Sequence, residues 1–178
     1  MSVLYVDNLQ PNLGSRVMAA GHVVQVKEAS APSSGIVSFT SSAFTDFGLS
    51  VSITPASASS KFLIIYTCPI FVYSSGGSIT SMGGGFRLSR DSTVIDDPQG
   101  DAGGALGNWL NLSTLNPTGY WDYFWTHAGN VVDSPSTTST INYNVKYSHR
   151  AGTESRIGYD GNNTFSPRCR MTVMEIAQ

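Results

Sequence analysis

The stretch from Phe44 to Tyr73 constrains the fold most, because an alternating segment, a turn and a long apolar run follow one another there. Apolar and hydroxyl side chains alternate between residues 49 and 54, which is the two-residue period of a strand with one buried face. Pro55 to Ser60 are turn residues, and the run from Phe62 to Val72 is mostly apolar. We expect a β-hairpin whose second strand lies centrally in its sheet and is covered on both faces.

Similar strand patterns, each bounded by turn residues, continue along the chain. No ten-residue segment combines a helical period of 3.6 with a cap. At 178 residues the chain is long enough for one well-buried domain, so we expect an arm over residues 1–20 and one domain over 21–178. The sequence predicts an all-β fold, an antiparallel β-sandwich or jelly roll. Further strands are expected over 22–27, 36–40, 86–89, 120–127, 141–148 and 169–177, and the loop after Asp91 is expected to be interrupted briefly at 93–95.

The composition excludes some functions. Charged residues make up only 12% of the chain and the net charge is −2, whereas a nucleic-acid binder needs clustered Lys and Arg. A surface of hydroxyls and amides is weakly protected against self-association, which indicates contact with other copies or partners. No apolar run is long enough for a membrane helix, and the N-terminus lacks the pattern of a secretory signal. We therefore expect synthesis in a cytosol, with Cys68 and Cys169 as buried, reduced thiols.

The N-terminal arm carries a short apolar segment followed by turn residues. Such a segment cannot bury itself alone. It either adds a strand to an exposed edge of a neighbouring subunit or partner, or closes its own sheet, and the sequence does not decide between the two. The candidate docking residues are Val3, Leu4, Tyr5, Val6, Leu9, Pro11 and Leu13.

No motif in the chain indicates catalysis or a cofactor. His22, His127 and His149 have no second ligand at metal spacing, so we interpret them as structural. The Gly-x-Ser-x-Gly elbow of serine hydrolases is absent. The triplet Gly83 to Gly85 lacks the Lys-Ser/Thr of a phosphate loop, and we interpret it as a flexible turn before Phe86. We expect no catalytic residue, no metal and no cofactor.

Two groups of carboxylates are candidates for a metal site or for catalysis. Asp96, Asp97 and Asp101 lie in a loop predicted from Asp91 to about Gly107, where a solvated acidic loop is favoured over a calcium site. Asp122 with Asp133 is a pair that a glycoside hydrolase could use, but nothing favours it over chance. The chain is therefore not expected to be an enzyme.

Aromatic residues are the remaining candidates for a ligand surface. The run from Tyr120 to His127 places aromatic side chains on both faces of a predicted strand. Trp121 and Trp125 share one face, for which the core or a subunit interface is favoured over ligand contact. Trp109 has a glycine-rich context and is expected to be the more exposed ring.

Four spaced motifs resemble a known module. They are SVSITP at Ser50–Pro55, LSRD at Leu88–Asp91, DSPSTT at Asp133–Thr138 and TVMEI at Thr172–Ile176. Together they resemble the β-sandwich module of tailed-bacteriophage (cyanophage-like) virion proteins, which include tail-fibre ends and small capsid proteins. The resemblance covers about residues 22–178 and implies a non-enzymatic structural protein of the virion.

The resemblance leaves two locations open. A tail-fibre tip usually ends a long repetitive shaft, which this sequence lacks, whereas a short arm suits a capsid decoration (cement) protein. We therefore expect a homotrimer on the outer capsid surface that contacts the major capsid protein and has no nucleic-acid or membrane partner. The alternative is a tail-fibre or receptor-binding tip that recognises a host surface glycan.

Overall fold

The computed structural model describes residues 20–78, 81–97, 108–111, 118–159 and 168–178. Within these ranges the side chains of 76–78, 81, 108–111 and 118–121 are outside the description. The described residues form the strands β1 (Val23–Ala31), β2 (Val37–Phe39), β3 (Thr45–Ile53), β4 (Lys61–Ser78), β5 (Ser81–Arg90), β6 (Thr93–Asp96), β7 (Asn108–Asn111), β8 (Thr118–Asp133), β9 (Ile141–Ala151), β10 (Glu154–Ile157) and β11 (Cys169–Ile176).

The strands form two antiparallel sheets. Sheet A has the order β1-β11-β4-β10-β2, and β8 pairs with the opposite edge of β4. Sheet B has the order β3-β9-β5-β6, with β7 also beside β5. The sheets pack face to face, with β1 against β3 and β4 against β5. The predicted β-sandwich is confirmed, while the jelly-roll connectivity stays a prediction.

The core lies between the inner faces of the two sheets. Strands β3, β4, β9 and β11 each bury every second side chain on the face that packs against the other sheet. Rings dominate the centre, and Tyr147 packs edge-on to Phe39 with ring centroids 5.0 Å apart. The largest fully buried side chains are Tyr66, Tyr143, Tyr147, Phe62, Phe86, Leu49, Ile53, Ile64, Ile70, Met82 and Leu88.

The predicted hairpin between β3 and β4 is wrong. β3 pairs with β9 in sheet B, and β4 belongs to sheet A, so the turn after Ile53 crosses from one sheet to the other. The buried carboxylate of Glu175 holds this crossing, because it accepts hydrogen bonds from Ala56 N at 2.7 Å and Gln25 Nε2 at 2.6 Å. Burial alone would raise the pKa of Glu175, but hydrogen bonds from Ser60, Gln25 and the backbone lower that pKa by more.

The central position predicted for β4 is correct, but its coverage on both faces is not. β11 and β10 pair with one edge of β4 and β8 pairs with the other. Its inner residues are buried between the sheets, whereas Ile65 on the outer face is 40% exposed and Thr67 is exposed. One face of a strongly apolar strand is therefore open to solvent.

The glycine triplet is also not the predicted turn. Gly83, Gly84 and Gly85 are buried within β5, where they pair with β9. Tyr147 of β9 occupies the space that a side chain on Gly84 would need. The missing side chain of Gly84 thus admits the ring of Tyr147 into the core.

Other predictions fall partly outside the described residues. The arm over residues 1–20 lies outside them apart from Ala20, and so do its docking residues Val3, Leu4, Tyr5, Val6, Leu9, Pro11 and Leu13. In the loop after Asp91 the interruption expected at 93–95 corresponds to β6, and residues 98–107 are not described. Cys68 and Cys169 are free and buried, as predicted.

Candidate functional site

The outer face of sheet A carries an exposed apolar row across four strands. Val26 of β1 lies opposite Met174 of β11, Met174 lies opposite Leu63 of β4, and Leu63 lies opposite Val132 of β8. Val26 is 49% exposed and Val132 is 61% exposed, while the two central side chains are half-buried. We call these four residues the apolar row.

The apolar row has polar neighbours on the side towards Ile65. Neighbouring strands lie about 4.8 Å apart, so the row spans about 14 Å of the face. Ile65 extends the apolar surface by one step along β4. The cross-strand neighbours of Ile65 are polar. Thr172 of β11 lies on one side with Glu28 of β1 next to it, and Asn130 of β8 lies on the other side. An apolar centre with polar groups at its border is the usual anatomy of a protein–protein contact, and the apolar row has this arrangement on one side.

An aromatic cluster lies further along the same face. Phe71 packs against Tyr159, with ring centroids 4.5 Å apart, and lies opposite Phe124, which is 49% exposed. The Arg156 guanidinium lies 4.8 Å from the Tyr73 ring centroid and 5.0 Å from that of Tyr159, within cation–π range. We call Phe71, Tyr73, Phe124, Arg156 and Tyr159 the aromatic cluster.

The outer face of sheet B is polar by contrast. Ser52 Oγ donates to Asn142 Oδ1 at 3.2 Å, and Asn144 Nδ2 donates to Asp46 Oδ2 at 2.7 Å. These two hydrogen bonds join polar side chains of β3 and β9 across the strands. Since exposed apolar patches mark contact sites, the outer face of sheet A is the better candidate for docking.

Strand β8 adds an open edge to this face. It is 16 residues long and pairs with β4 along nearly its whole length. None of the other described strands pairs with its second edge. An edge of this kind presents backbone donors and acceptors that another chain can pair with.

The sequence favoured the core or a subunit interface for Trp121 and Trp125, and the structure shows Trp125 packed against the core. Trp125 points inward from β8, packs against the core and lies 4.9 Å from the Tyr123 ring. Trp109 lies in β7 opposite Gly83, and Trp121 lies in β8, but both side chains are outside the description. The aromatic run does supply Phe124 to the outer face, although alternation alone could not say which face is outer.

The histidines in the strands make core contacts. His127 Nε2 lies 3.4 Å from Tyr66 Oη and its ring stacks on Phe86, and burial lowers the pKa of His127. His149 Nδ1 lies 2.7 Å from Ser155 Oγ, and burial lowers the pKa of His149 as well. A serine beside a histidine is the pairing that nucleophilic catalysis uses, but Ser155 has no exposed surface, so this contact is structural.

The carboxylates predicted as a solvated acidic loop are half-buried where the structure describes them, each with its own partner. Asp96 Oδ2 accepts a hydrogen bond from Tyr66 Oη at 3.1 Å, and Asp97 forms an ion pair with Arg87. Asp101 is not described. In the part of the chain that the structure describes, no group of three His, Cys, Asp or Glu side chains could hold a metal ion.

The other carboxylate pair is too widely separated for glycoside hydrolysis. Asp122 and Asp133 lie eleven residues apart on β8 and point to opposite faces, which places them roughly 35 Å apart. Glycosidase carboxyl groups lie within about 10 Å of each other. Asp133 instead joins the two sheets, accepting hydrogen bonds from Arg90 and Tyr143.

Comparisons with known proteins do not assign the chain to a family. No protein-family model matches the sequence, and a search of curated proteins found no match. The described residues contain no helix with the length and apolarity needed to cross a membrane. The candidate site therefore depends on the geometry of the outer face of sheet A.

Proposed function

We propose that this chain is a non-enzymatic structural protein of a tailed-bacteriophage virion, a capsid decoration (cement) protein that docks through the outer face of sheet A. The apolar row, Val26, Met174, Leu63 and Val132, is the observation that carries this proposal. The motif resemblance supports the virion setting. The proposed activity is mechanical, because copies that clamp adjoining capsomers resist the pressure of packaged DNA.

The energetics suit docking in many copies. Each square ångström of apolar surface removed from water contributes about 25 cal/mol, so a row of four side chains gives only a modest affinity by itself. A homotrimer presents three such rows to the capsid, and linked contacts raise the overall affinity far above that of one. The N-terminal arm would add a further contact with the major capsid protein.

The low charge content favours the same role. Only 12% of residues are charged, so the surface of the chain is poor in ionised groups. Few charges must therefore lose water when such a surface is covered, which keeps the desolvation penalty small. This composition suits a protein whose surface is covered by other subunits.

The aromatic cluster favours a second candidate function, a tail-fibre or receptor-binding tip that recognises a host glycan. Sugar sites combine ring faces for stacking with a few oriented polar groups. Phe124 offers an exposed ring, and Arg156 and Glu154 form an ion pair of 2.8 Å beside Tyr73. The two functions differ in where the protein sits on the particle.

Electron microscopy of labelled particles tests the proposal. A gold-binding tag fused after Gln178, which is exposed, should appear over the whole head of intact particles. Label found only on the tail would contradict capsid decoration and support the receptor-binding function. Particles without label, from cells that contain the tagged protein, would overturn both. A tag on an established head protein serves as the control.

A further inference from the structure

Two free thiols face each other inside sheet A. The register of β11 with β4 pairs Met171 with Tyr66 and Arg170 with Thr67, so the next position places Cys169 opposite Cys68. Neither cysteine has any exposed surface, and the thiol of Cys169 lies close enough to that of Cys68 to raise its pKa. Both side chains point to the inner face of the sheet.

This placement matches the dimensions of a disulfide. Opposed residues of antiparallel strands have Cα atoms about 4.5–5.5 Å apart, and disulfides join Cα atoms about 4.4–6.8 Å apart. We propose that Cys68 and Cys169 are an oxidation site that forms an intramolecular disulfide with a small-molecule disulfide, such as oxidised glutathione, as the oxidant. The thiols would stay reduced in a reducing cytosol and become linked outside it.

The reaction is a double thiol–disulfide exchange. One cysteine thiolate attacks a sulfur of oxidised glutathione, forms a mixed disulfide and releases one glutathione thiolate. The second cysteine thiolate then attacks the protein sulfur of the mixed disulfide and releases the second glutathione. The protein loses two electrons and two protons, and these end on the two molecules of reduced glutathione.

The folded state protects the pair from rapid oxidation. Burial raises the pKa of the Cys68 thiol, and the neighbouring thiol of Cys169 raises that pKa further, so the reactive thiolate is scarce. The oxidant also cannot reach side chains without exposed surface. Cys169 is the first residue of β11 and follows the exposed Arg168, so opening at this strand end gives access. Oxidation should therefore accompany folding or local opening.

The bond would tie the C-terminal strand to the centre of sheet A. It would close a loop of about a hundred residues, and links across long loops restrict the unfolded chain most. The linked protein should melt roughly 5–15 °C above the reduced protein. Because both sulfurs face the core, the outer face of sheet A is unchanged, and this site does not depend on the proposed docking function.

Refolding the full chain in two buffers tests the site. The unfolded chain is refolded in a buffer of oxidised and reduced glutathione, and in parallel with a phosphine reductant. We expect the first sample to lose the mass of two hydrogen atoms, to yield a linked peptide pair containing Cys68 and Cys169, and to melt at the higher temperature. Cys169→Ala, refolded in both buffers, should show no difference in melting temperature between them.

Three results would overturn the proposal. They are free thiols after refolding in the glutathione buffer, a link between chains in place of one within the chain, and a linked protein that melts at or below the reduced one. Since the comparison uses the unchanged chain in two redox states, it stays decisive even if Cys169→Ala folds poorly.

Discussion

Gly84→Ala should destabilise the folded protein by more than ~3 kcal/mol, because the new methyl group has no space. A Cβ on Gly84 would overlap the Tyr147 hydroxyl and the Ser148 carbonyl oxygen, and Tyr147 Cζ would lie 2.5 Å away. The Ser148 carbonyl belongs to the backbone of β9, so it cannot move away from the new methyl group without disturbing the strand. Thermal unfolding should show a melting temperature lower by roughly 6–12 °C, or no cooperative transition.

Gly48→Ala is the matched control. Gly48 has a φ of +88° but nothing within 4 Å of the position of a new Cβ, so the change costs about 1–2 kcal/mol in backbone strain alone. Gly84 is not among the glycines with positive φ, and its penalty comes from packing. Equal melting temperatures for Gly84→Ala and Gly48→Ala would show that Tyr147 does not occupy the position of a Cβ on Gly84.

Asp133→Ala should lower the free energy of unfolding by about 2–4 kcal/mol, as expected when one member of a largely buried charge pair is removed. Arg90 Nη1 donates to both Asp133 oxygens at 2.7 and 2.6 Å, and Tyr143 Oη donates to one of them at 2.8 Å. This carboxylate thus links β8 of sheet A to β5 and β9 of sheet B. Urea unfolding of the purified variant measures the loss.

Asp122→Ala controls for removing a carboxylate from the same strand. Asp122 is exposed on the outer face of β8, so its loss should change the free energy of unfolding by no more than about 0.5 kcal/mol. Equal unfolding midpoints for Asp133→Ala and Asp122→Ala would show that the link between the sheets contributes nothing to stability.

The strands could be predicted from the sequence more securely than their partners. Alternation between residues 49 and 54 shows which side chains share a face, and those of β3 are buried as expected. It does not show which strand lies alongside, and a turn of the same composition can join neighbouring strands or cross between sheets. Glu175, about 120 residues from the turn it holds, gave no local signal for the crossing.

The docking face was hidden for a related reason. A run such as that of β4, apolar on both faces, predicts either a doubly covered strand or an exposed apolar surface, and the period cannot separate them. The apolar row exists only because four distant segments come into register, with Val26 and Val132 at its ends. No local sequence motif predicts such a row.

The glycine triplet illustrates a different limit. Three consecutive glycines usually indicate a turn, because glycine has wide backbone freedom. In β5 the space left by the missing side chain of Gly84 is filled by Tyr147, a residue about sixty positions later in the chain. Only the fold reveals that contact.

Particle occupancy of one charged variant tests the docking face most directly. Val132→Lys places a charge at the exposed end of the apolar row, and Ser50→Lys places the same charge on an exposed strand position of sheet B. Both variants should fold like the unchanged chain. We predict that Val132→Lys lowers the number of copies bound per capsid by at least about tenfold, because docking would bury an unpaired ammonium group, while Ser50→Lys leaves it unchanged. Equal occupancy for the two folded variants would contradict docking through sheet A.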